Sequence, residues 1–328
     1  MNPRVYDRIY GSATALCSAT SILFIFVIGL VLLTYSYPSI VVNGIRFFTT
    51  VTWNPDLSGA VTTLNGFKTM SNASYGILVF VTGTLITSAL ALLIGVPVAI
   101  GIAVFLTEVA PPKLSAVVSF LVELLAGIPS VVYGFWGFLV LGPFLLQTFE
   151  PFLSEHLYFI PVFDGPVYSS GLLASGIIVA LMIIPIIASI SRDAMARTPK
   201  ELKEGGRALG LTDHEVTTKI VFPYAKSSIF GSIMLGLGRA LGETMAVAMV
   251  SNSAINELPK TAFYPINTMA AFMAQSLDSA FTDPSGMYVH SLVEMGLVLL
   301  AITMIVNVLA RFLVRQGFIS GAETVVRV

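Results

Sequence analysis

The sequence predicts an all-α polytopic membrane protein with six transmembrane helices. Of its 328 residues, 55% are hydrophobic and only 11% are charged, whereas soluble domains carry about 25% charged residues. Several apolar runs reach the length of about 20 residues that a helix needs to cross a bilayer. These runs are continuous and do not alternate between apolar and polar residues as the strands of a membrane barrel do. The spans are therefore predicted to be helical.

Hydropathy places the six spans near 15–36, 76–106, 115–147, 171–191, 227–251 and 290–314. No small-residue cleavage site follows the first run, so we interpret it as a retained helix and not as a signal peptide. Pro97, Pro129 and Pro185 are expected to kink the second, third and fourth spans, because proline removes a backbone hydrogen bond. The kink at Pro129 either lines a passage or serves packing alone, and the sequence favours neither.

Basic residues are distributed unevenly between the two sides of the membrane. If the N-terminus is cytoplasmic, 13 of the 17 Lys and Arg residues lie on the cytoplasmic side, three lie on the other side and Arg239 lies inside a span. The positive-inside rule therefore predicts that both termini and the 192–226 loop are cytoplasmic. The outer loops are then 37–75, 148–170 and 252–289, which either form a docking surface or only connect helices.

The most polar segment, 198–223, carries two helix start signals. Capping boxes are predicted in T-P-K-E (198–201), with its proline at the first helical position, and in T-D-H-E (212–215). Gly210 is expected to stop the first helix, because glycine tolerates left-handed backbone. Pro223 is expected to end the second helix. The segment is therefore either a pair of short helices that touch another protein or an ordinary solvated loop.

The charged residues inside the predicted spans include Glu123, Arg239, Glu243 and Glu294. Each needs a protein or water partner, because a charge at the bilayer centre costs about 2.5–3.5 kcal/mol. Arg239 and Glu243 are four residues apart and are predicted to share one helix face. Our hypothesis is that Arg239 faces a substrate pathway and binds a passing oxyanion through its planar guanidinium, while Glu243 holds it in place. The alternative is a structural ion pair that joins helices.

Several classes of function are excluded by what the sequence lacks. It has no phosphate-binding loop of the ATPase type and no nucleophile–base constellation, so the chain is not predicted to be an enzyme or to bind ATP. Cys17 is the only cysteine and the three histidines are far apart, so neither a disulfide nor a metal site is predicted. The net charge of −1 argues against nucleic-acid binding.

The 198–223 segment resembles the coupling motif of bacterial ABC-importer permeases, which reads E-A-A, three residues, G, nine residues, I, one residue, L-P. The residues at these positions are Glu204, Gly205, Gly206, Gly210, Ile220, Phe222 and Pro223. The departures are Gly-Gly for Ala-Ala and Phe for Leu, and the two glycines lower the local helix propensity. The resemblance implies that the segment forms coupling helices that seat in a cleft of a separate ATPase subunit.

Essentially the whole chain is similar to phosphate-specific permeases of the PstC type. The stretches that carry this resemblance are G-T-L-I-T-S-A-L-A-L-L-I-G-V-P-V-A-I-G-I-A-V-F-L-T-E (83–108), L-A-G-I-P-S-V-V-Y-G (125–134) and G-R-A-L-G-E-T-M-A-V-A-M-V (238–250). The partner permease of the PstA type shares versions of two of them. The family's Arg and Glu of the fifth helix carry over to Arg239 and Glu243.

The resemblance implies a type I ABC importer permease of MetI-like fold, with a five-helix core and one extra N-terminal helix. Residues 1–75 would hold the N-terminal cytoplasmic segment, the first helix and a periplasmic lobe, residues 76–318 the core with its coupling helices, and residues 319–328 a cytoplasmic tail. The implied function is to form half of the pathway of an ATP-driven phosphate importer in the cell inner membrane, by alternating access.

The implied partners, besides membrane lipid, are a homologous PstA-type permease, two copies of a PstB-type ATPase that bind ATP and Mg²⁺, and a periplasmic phosphate-binding protein. The chain itself is expected to hold no cofactor. Two alternatives stay open. The same architecture could carry another oxyanion such as sulfate or molybdate, since Arg239 alone cannot separate them. A secondary transporter driven by an ion gradient would need no ATPase but would have inverted repeats, which the sequence does not show.

Overall fold

Six helices of the described chain are long and apolar enough to cross a membrane, as the sequence predicts. The structure, a computed structural model, describes the backbone of residues 3–251 and 256–325 and the side chains of residues 10–251 and 256–312. The membrane-crossing stretches in this part are Tyr10–Asn43, Leu78–Val109, Ser130–His156, Leu172–Ala196, Asp213–Gly242 and Met287–Phe312.

The α-helices are numbered in chain order. They are α1 (Pro3–Asn43), α2 (Arg46–Thr49), α3 (Leu78–Val104), α4 (Pro112–Ala126), α5 (Ser130–Trp136), α6 (Gly142–Phe144), α7 (Glu150–His156), α8 (Leu172–Ala196), α9 (Lys200–Ala208), α10 (Asp213–Val216), α11 (Phe222–Gly242), α12 (Met245–Val250), α13 (Met269–Ala280) and α14 (Met287–Val325). π-Helical turns continue some of these helices, at Phe105–Val109, Gly137–Leu141, Leu145–Phe149 and Thr217–Val221. The stretches from α5 to α7 and from α10 to α11 are therefore single rods.

Helix α8 lies at the centre of the bundle and packs against α3, α4 and α11. Small residues allow this close approach, as is usual between membrane helices. A Cβ added at Gly176 of α8 would lie only 2.5 Å from Leu90 Cδ2 of α3. A buried hydrogen bond of 3.0 Å between the hydroxyls of Ser191 and Ser232 joins α8 to α11. Helices α3, α8 and α11 therefore form the central packed part of the bundle.

The predicted third span is wrong in its position and in its continuity. A break divides residues 115–147 into α4 and α5, and the membrane-crossing rod runs from Ser130 to His156. Pro129 directly precedes α5 with extended backbone, at φ −60° and ψ 140°. Proline has no N–H to donate and keeps the preceding Ile128 out of the helical region, so the predicted kink is a complete break. Pro97 and Pro185 lie inside α3 and α8, within continuous helices.

Residues 44–75 form a small unit, which we call the lobe. It contains two antiparallel sheets of two strands each. The strands are β1 (Trp53–Asn54), β2 (Val61–Leu64), β3 (Phe67–Met70) and β4 (Ser74–Tyr75), with β1 paired to β4 and β2 paired to β3. Asn65 and Gly66 connect β2 to β3 with φ values of 53° and 87°. A two-residue hairpin turn requires such left-handed backbone. The all-α prediction therefore holds for the membrane part but does not include the strands of this lobe.

Trp53 fixes the lobe to the ends of three helices. Its ring packs edge-on against Tyr75, Phe80 and Phe272, with ring centroids 5.2, 5.7 and 5.2 Å away. The ring of Tyr288 lies 5.9 Å away. Aromatic pairs in such geometries contribute about 0.5–1.5 kcal/mol beyond their burial, so the cluster holds the lobe on α3, α13 and α14. Burial raises the pKa of the Tyr75 hydroxyl well above its ordinary value, which keeps the cluster uncharged.

The outer loop predicted at 252–289 contains α13. Residues 252–255 of this loop lie outside the described part. The hydroxyl of Thr268 accepts from the N–H of Ala271 at 3.3 Å and so caps α13. The N–H of Met269 donates to Thr84 Oγ1 of α3 at 3.0 Å. The apolar face of α13 is buried against the bundle. Much of this loop is therefore part of the packed structure.

Helix α1 packs on α14 through a buried polar cluster. Ser36 and Ser39 are fully buried although most of α1 is exposed. The hydroxyl of Ser39 donates to the carboxylate of Glu294 and lies 3.0 Å from the hydroxyl of Ser291. The side chain of Asn43 donates to Ser39 Oγ at 2.9 Å. Glu294 thus has the protein partner that its position inside a span requires.

We expect Glu294→Leu to loosen the packing of α1 on α14, because it leaves the buried hydroxyl of Ser39 without its acceptor. Such an unsatisfied group costs about 1–3 kcal/mol. Glu294→Gln is the matched control, since the amide oxygen can still accept a hydrogen bond. Thermal denaturation of the purified protein in detergent measures the difference. Equal stability of the two variants would contradict the role of this hydrogen bond.

Candidate functional site

Arg239 and Glu243 lie at a break in the fifth membrane helix. Helix α11 ends at Gly242, and Glu243 has extended backbone with φ −67° and ψ 123°. The prediction that the two residues share one helix face is therefore wrong. Glu243 is buried and its Oε1 accepts from the N–H of Ala246 at 3.3 Å. A carboxylate in this place satisfies a free N–H at the start of a helix and suits its positive end, so Glu243 holds the start of α12.

The guanidinium of Arg239 is left without an acidic partner. Among the side chains that the structure describes, no carboxylate lies within ion-pair distance of Arg239, while six ion pairs occur elsewhere. The alternative of an ion pair with Glu243 is therefore wrong within this chain. An exposed guanidinium inside a membrane-crossing helix needs water, an anion or a neighbouring molecule as its partner.

Arg239 lines a cavity of about 800 Å³ between α8, α11 and α14. The α11 wall extends from Ser227 to Arg239, and α14 contributes Asn307 and Arg311. A Cβ added at Gly238, which also lines this wall, would meet nothing within 4 Å. By contrast, Gly236 faces α8, where a Cβ would lie 2.8 Å from Ile187 Cδ1. The helix thus packs on α8 with one face and presents Arg239 on its open face.

The break before α5 lies next to the break after α11. A Cβ added at Gly134 of α5 would lie 2.9 Å from the Cα of Ala246 in α12, so the two short helices pack backbone to backbone. Tyr133 donates its hydroxyl to the carbonyl of Leu125 at 3.0 Å and bridges the first break. Stretches 125–134 and 238–250, which are far apart in sequence, therefore form one site.

The segment 198–223 is built around Gly210, as predicted. Gly210 has φ +86° and separates α9 from α10. The second predicted capping box is confirmed, since Thr212 and Glu215 exchange side-chain and backbone hydrogen bonds. The first is wrong: Pro199 precedes α9 with extended backbone, at φ −54° and ψ 136°, and the buried hydroxyl of Thr198 has no partner.

The predicted helix end at Pro223 is also wrong. The chain continues from α10 through the π-helical turn Thr217–Val221 into α11, so one rod of 30 residues runs from Asp213 to Gly242. A π turn shifts the hydrogen-bond partners by one residue, and proline is tolerated at the start of the next helical stretch because its missing N–H is not needed there.

Two residues of the predicted coupling motif pack directly on each other. Gly206 is buried, and a Cβ added there would lie 2.5 Å from Ile220 Cδ1. At Gly205 an added Cβ would meet nothing within 4 Å. The glycine at 206 is therefore required by the isoleucine at 220, whereas the glycine at 205 has no packing reason.

The outer side of this segment is exposed. Glu204 is exposed and forms no ion pair with any side chain in the described part. Leu209 is 87% exposed and Leu202 is 49% exposed. Apolar residues so placed at a helix junction favour contact with another protein. Phe222 instead packs inward on the cluster of Met195, Val221 and neighbouring residues.

A buried ion pair, which the sequence does not reveal, ties this segment to the second membrane helix. Lys203 Nζ of α9 lies 2.6 Å from Glu108 Oε1 at the end of the α3 rod, and the two side chains are only 15% and 10% exposed. A second pair links Arg192 of α8 to Glu123 of α4 at 3.0 Å, and supplies the partner that Glu123 was predicted to need.

Within the described residues, no group of three or more His, Cys, Asp or Glu side chains could hold a metal ion. The candidate site consists of Arg239 in its cavity, the two adjoining helix breaks and the segment 198–223.

The sequence comparisons identify a family of transport proteins. The family model described as "Binding-protein-dependent transport system inner membrane component" matches residues 95–316. The chain is 42% identical over 279 residues to the "Phosphate transport system permease protein PstC 1" of Mycobacterium tuberculosis, covering 84% of this chain and 82% of that protein. It is 39% identical over 314 residues to the "Phosphate transport system permease protein PstC" of Mesorhizobium japonicum, covering 94% and 90%.

Solved structures support the predicted fold. A chain of the MetNI methionine ABC transporter in inward-facing conformations aligns with a TM-score of 0.52 at 18% identity, over 73% of this chain and 96% of that chain. A bacterial ABC transporter that imports the acidic polysaccharide alginate gives a TM-score of 0.51 at 19% identity, over 72% and 78%. At these identities the similarity concerns the fold alone, and the predicted importer-type core with an extra N-terminal helix is confirmed.

We expect Gly205→Ala and Gly206→Ala to have opposite effects. Position 205 is exposed and helical, so Gly205→Ala is expected to stabilise α9 by up to about 1 kcal/mol. Gly206→Ala places a methyl group against Ile220 and costs about 1–3 kcal/mol. Hydrogen exchange of the 198–223 segment measures both changes. The double variant Gly206→Ala with Ile220→Val removes the clashing Cδ1 and is expected to recover stability; no recovery would contradict the proposed contact.

The pair of Lys203 and Glu108 gives a further expectation. Removing either charge leaves the other one buried, which costs up to about 3–5 kcal/mol in a fully buried pair and less in this one. Lys203→Gln and Glu108→Gln are each expected to lower the thermal stability of the purified protein. The double variant is expected to lose less than the sum of the two single losses, and strict additivity would show that the ion pair contributes nothing.

Proposed function

Since this chain belongs to the family of binding-protein-dependent transport system inner membrane components, we propose that it is the permease subunit of an ATP-driven phosphate importer and forms half of the translocation pathway. The observation that carries this proposal is the position of Arg239. It lies on a membrane-crossing helix and lines a cavity, and its guanidinium has no acidic partner among the described side chains. The names of the Mycobacterium and Mesorhizobium relatives support phosphate as the solute.

The excess of basic residues near 192–226 supports an orientation with this loop and both termini in the cytoplasm. Residues 1–75 then supply the first helix and the lobe on the periplasmic side, residues 76–318 the permease core, and residues 319–328 a cytoplasmic tail, of which 326–328 lie outside the described part. In this orientation the exposed Leu202, Leu209 and Glu204 face an ATPase subunit that binds ATP and Mg²⁺. A homologous permease, a second ATPase copy and a periplasmic phosphate-binding protein complete the assembly.

Energy passes from the ATPase to the pathway along two mechanical connections. The rod from Asp213 to Gly242 is continuous, and its 30 residues extend about 45 Å at about 1.5 Å per residue. Movement of the coupling segment therefore reaches Arg239 without an intervening hinge. The Lys203–Glu108 pair moves the end of the α3 rod at the same time. The helix breaks at 127–129 and 243–244 are the places where the pathway can change shape in alternating access.

Arg239 suits transient binding of phosphate. A guanidinium keeps its charge at all physiological pH values and can donate to two phosphate oxygens at once. No buried network surrounds it, so the ion is attracted without being held tightly. Glu243 acts as a positioning residue, because its hydrogen bond to Ala246 fixes the start of α12 beside the end of α11.

We expect Arg239→Gln to lower phosphate uptake about 10- to 100-fold, because hydrogen bonds to a charged group contribute about 1.5–3 kcal/mol. The measurement is uptake of radiolabelled phosphate by proteoliposomes that contain the complete transporter with ATP. Arg239→Lys retains the charge and is expected to retain part of the uptake.

The matched control is Lys113→Gln, which removes an exposed positive charge at the start of α4, away from the cavity. It is expected to transport normally. Uptake at the wild-type rate by an assembled Arg239→Gln transporter would contradict the pathway role. Equal competition by sulfate or molybdate would contradict phosphate as the specific solute.

A further inference from the structure

The cavity beside Arg239 contains a second unpaired arginine. Arg311 lies on α14 one turn after Asn307, and both line the same cavity as Arg239. Arg311 is exposed and forms no ion pair with a described side chain. No acidic residue of the described chain lines the cavity, so its walls carry a net charge of about +2 at neutral pH. Two like charges in one cavity repel, and an oxyanion would relieve the repulsion.

The polar groups of this cavity follow its length. Ser227 begins the α11 wall and Arg239 ends it, and these 12 residue steps correspond to about 18 Å along the helix. Arg311 lies one turn beyond Asn307 toward the C-terminal end of α14. Helix α11 enters the membrane from the end at which α14 leaves it, so Ser227 and Arg311 lie at the same end of the cavity. Asn307 lies between that end and Arg239.

These positions make a graded series of donors. Arg239 lies at one end of the cavity, Asn307 can donate through its amide, and Arg311 and Ser227 lie at the other end. Within the described residues, the side chains of Asn307 and Ser227 make no hydrogen bond, so their donors are free for a ligand or water. The cavity volume of about 800 Å³ is far larger than one dehydrated phosphate, and an ion in it would keep part of its water shell.

We propose that Arg311, with Asn307 and Ser227, forms a second oxyanion site at the cytoplasmic end of the cavity that begins at Arg239. This proposal rests on the proposed function and adds residues to it that no sequence motif singled out. The ligand chemistry is a phosphate group, and its role is to receive the ion from Arg239 before release. Because the site is wide and hydrated, it holds the ion weakly and allows it to leave.

A single reporter cysteine tests the proposal. Cys17 is the only cysteine of the chain, so Cys17→Ser followed by Ser227→Cys places one thiol in the cavity of the assembled transporter. Thiosulfonate reagents that carry either a sulfonate or a trimethylammonium group are applied from the cytoplasmic side, and labelling is followed on this chain. We expect the anionic reagent to react faster than the cationic one, and millimolar inorganic phosphate to slow it.

Arg311→Gln in the same background is expected to lower the ratio of anionic to cationic reaction rates about fivefold, as loss of one nearby charge in a partly aqueous site implies. Arg311→Lys is expected to keep most of the ratio. Lys113→Gln, which removes a charge outside the cavity, is expected to leave it unchanged. Phosphate uptake by Arg311→Gln transporters is expected to fall several-fold while Arg239 is still present.

Three outcomes would overturn the proposal. An unchanged reagent ratio in Arg311→Gln would show that this arginine does not act on the cavity. A thiol at position 227 that no reagent reaches would show that a partner helix fills the cavity. Protection by phosphatidylglycerol vesicles but not by phosphatidylcholine vesicles, both free of inorganic phosphate, would show that an anionic lipid headgroup occupies the site. The absence of phosphate uptake by the unaltered transporter would instead defeat the proposed function, whatever the reagent ratio.

Discussion

The inability of lipid to form hydrogen bonds governs this structure. A backbone N–H or carbonyl exposed to the bilayer costs several kcal/mol, so a membrane helix can stop only where other protein groups or water replace the lost bonds. Both breaks meet this condition. The hydroxyl of Tyr133 donates to the carbonyl of Leu125 at the first break, and the carboxylate of Glu243 accepts from Ala246 at the second. Placed side by side, the breaks create a region of the bundle where polar groups are tolerated.

The same constraint supports the proposal that the segment 198–223 acts on the pathway from a distance. Helices in lipid keep their hydrogen bonds and therefore move as stiff bodies, so a displacement at one end appears at the other. The rod that begins at Asp213 carries Arg239 near its far end, and the buried Lys203–Glu108 pair ensures that α3 follows the same motion. The rods meet at two helix breaks whose polar groups are hydrogen-bonded. Bending of the bundle is therefore expected at these breaks, next to Arg239.

The sequence predicted what depends on composition and on local backbone chemistry. Hydropathy gave the number of spans, and the left-handed glycine at 210 and the second capping box were correct in detail. Hydropathy could not detect the break at Pro129, because apolar residues flank it on both sides, nor the continuation through Pro223, because a π turn leaves no compositional mark. The pair of Lys203 and Glu108 depends on tertiary contact alone. The hairpin strands of the lobe could have been predicted from the sequence. Asn65-Gly66 between two short runs of strand-forming residues is a hairpin signal.

The Trp53 cluster has a consequence for how the protein is made. Trp53 is synthesised soon after the first helix, but its partner Tyr288 follows roughly 230 residues later. At about 5–20 residues per second, translation needs about 10 to 50 s to supply that partner. During this interval Tyr75 and Phe80 are present, but Phe272 and Tyr288, which complete the aromatic cluster around Trp53, are not yet made. The apolar surface around Trp53 is therefore incompletely covered until the last helix is inserted, and that insertion completes the N-terminal part of the fold.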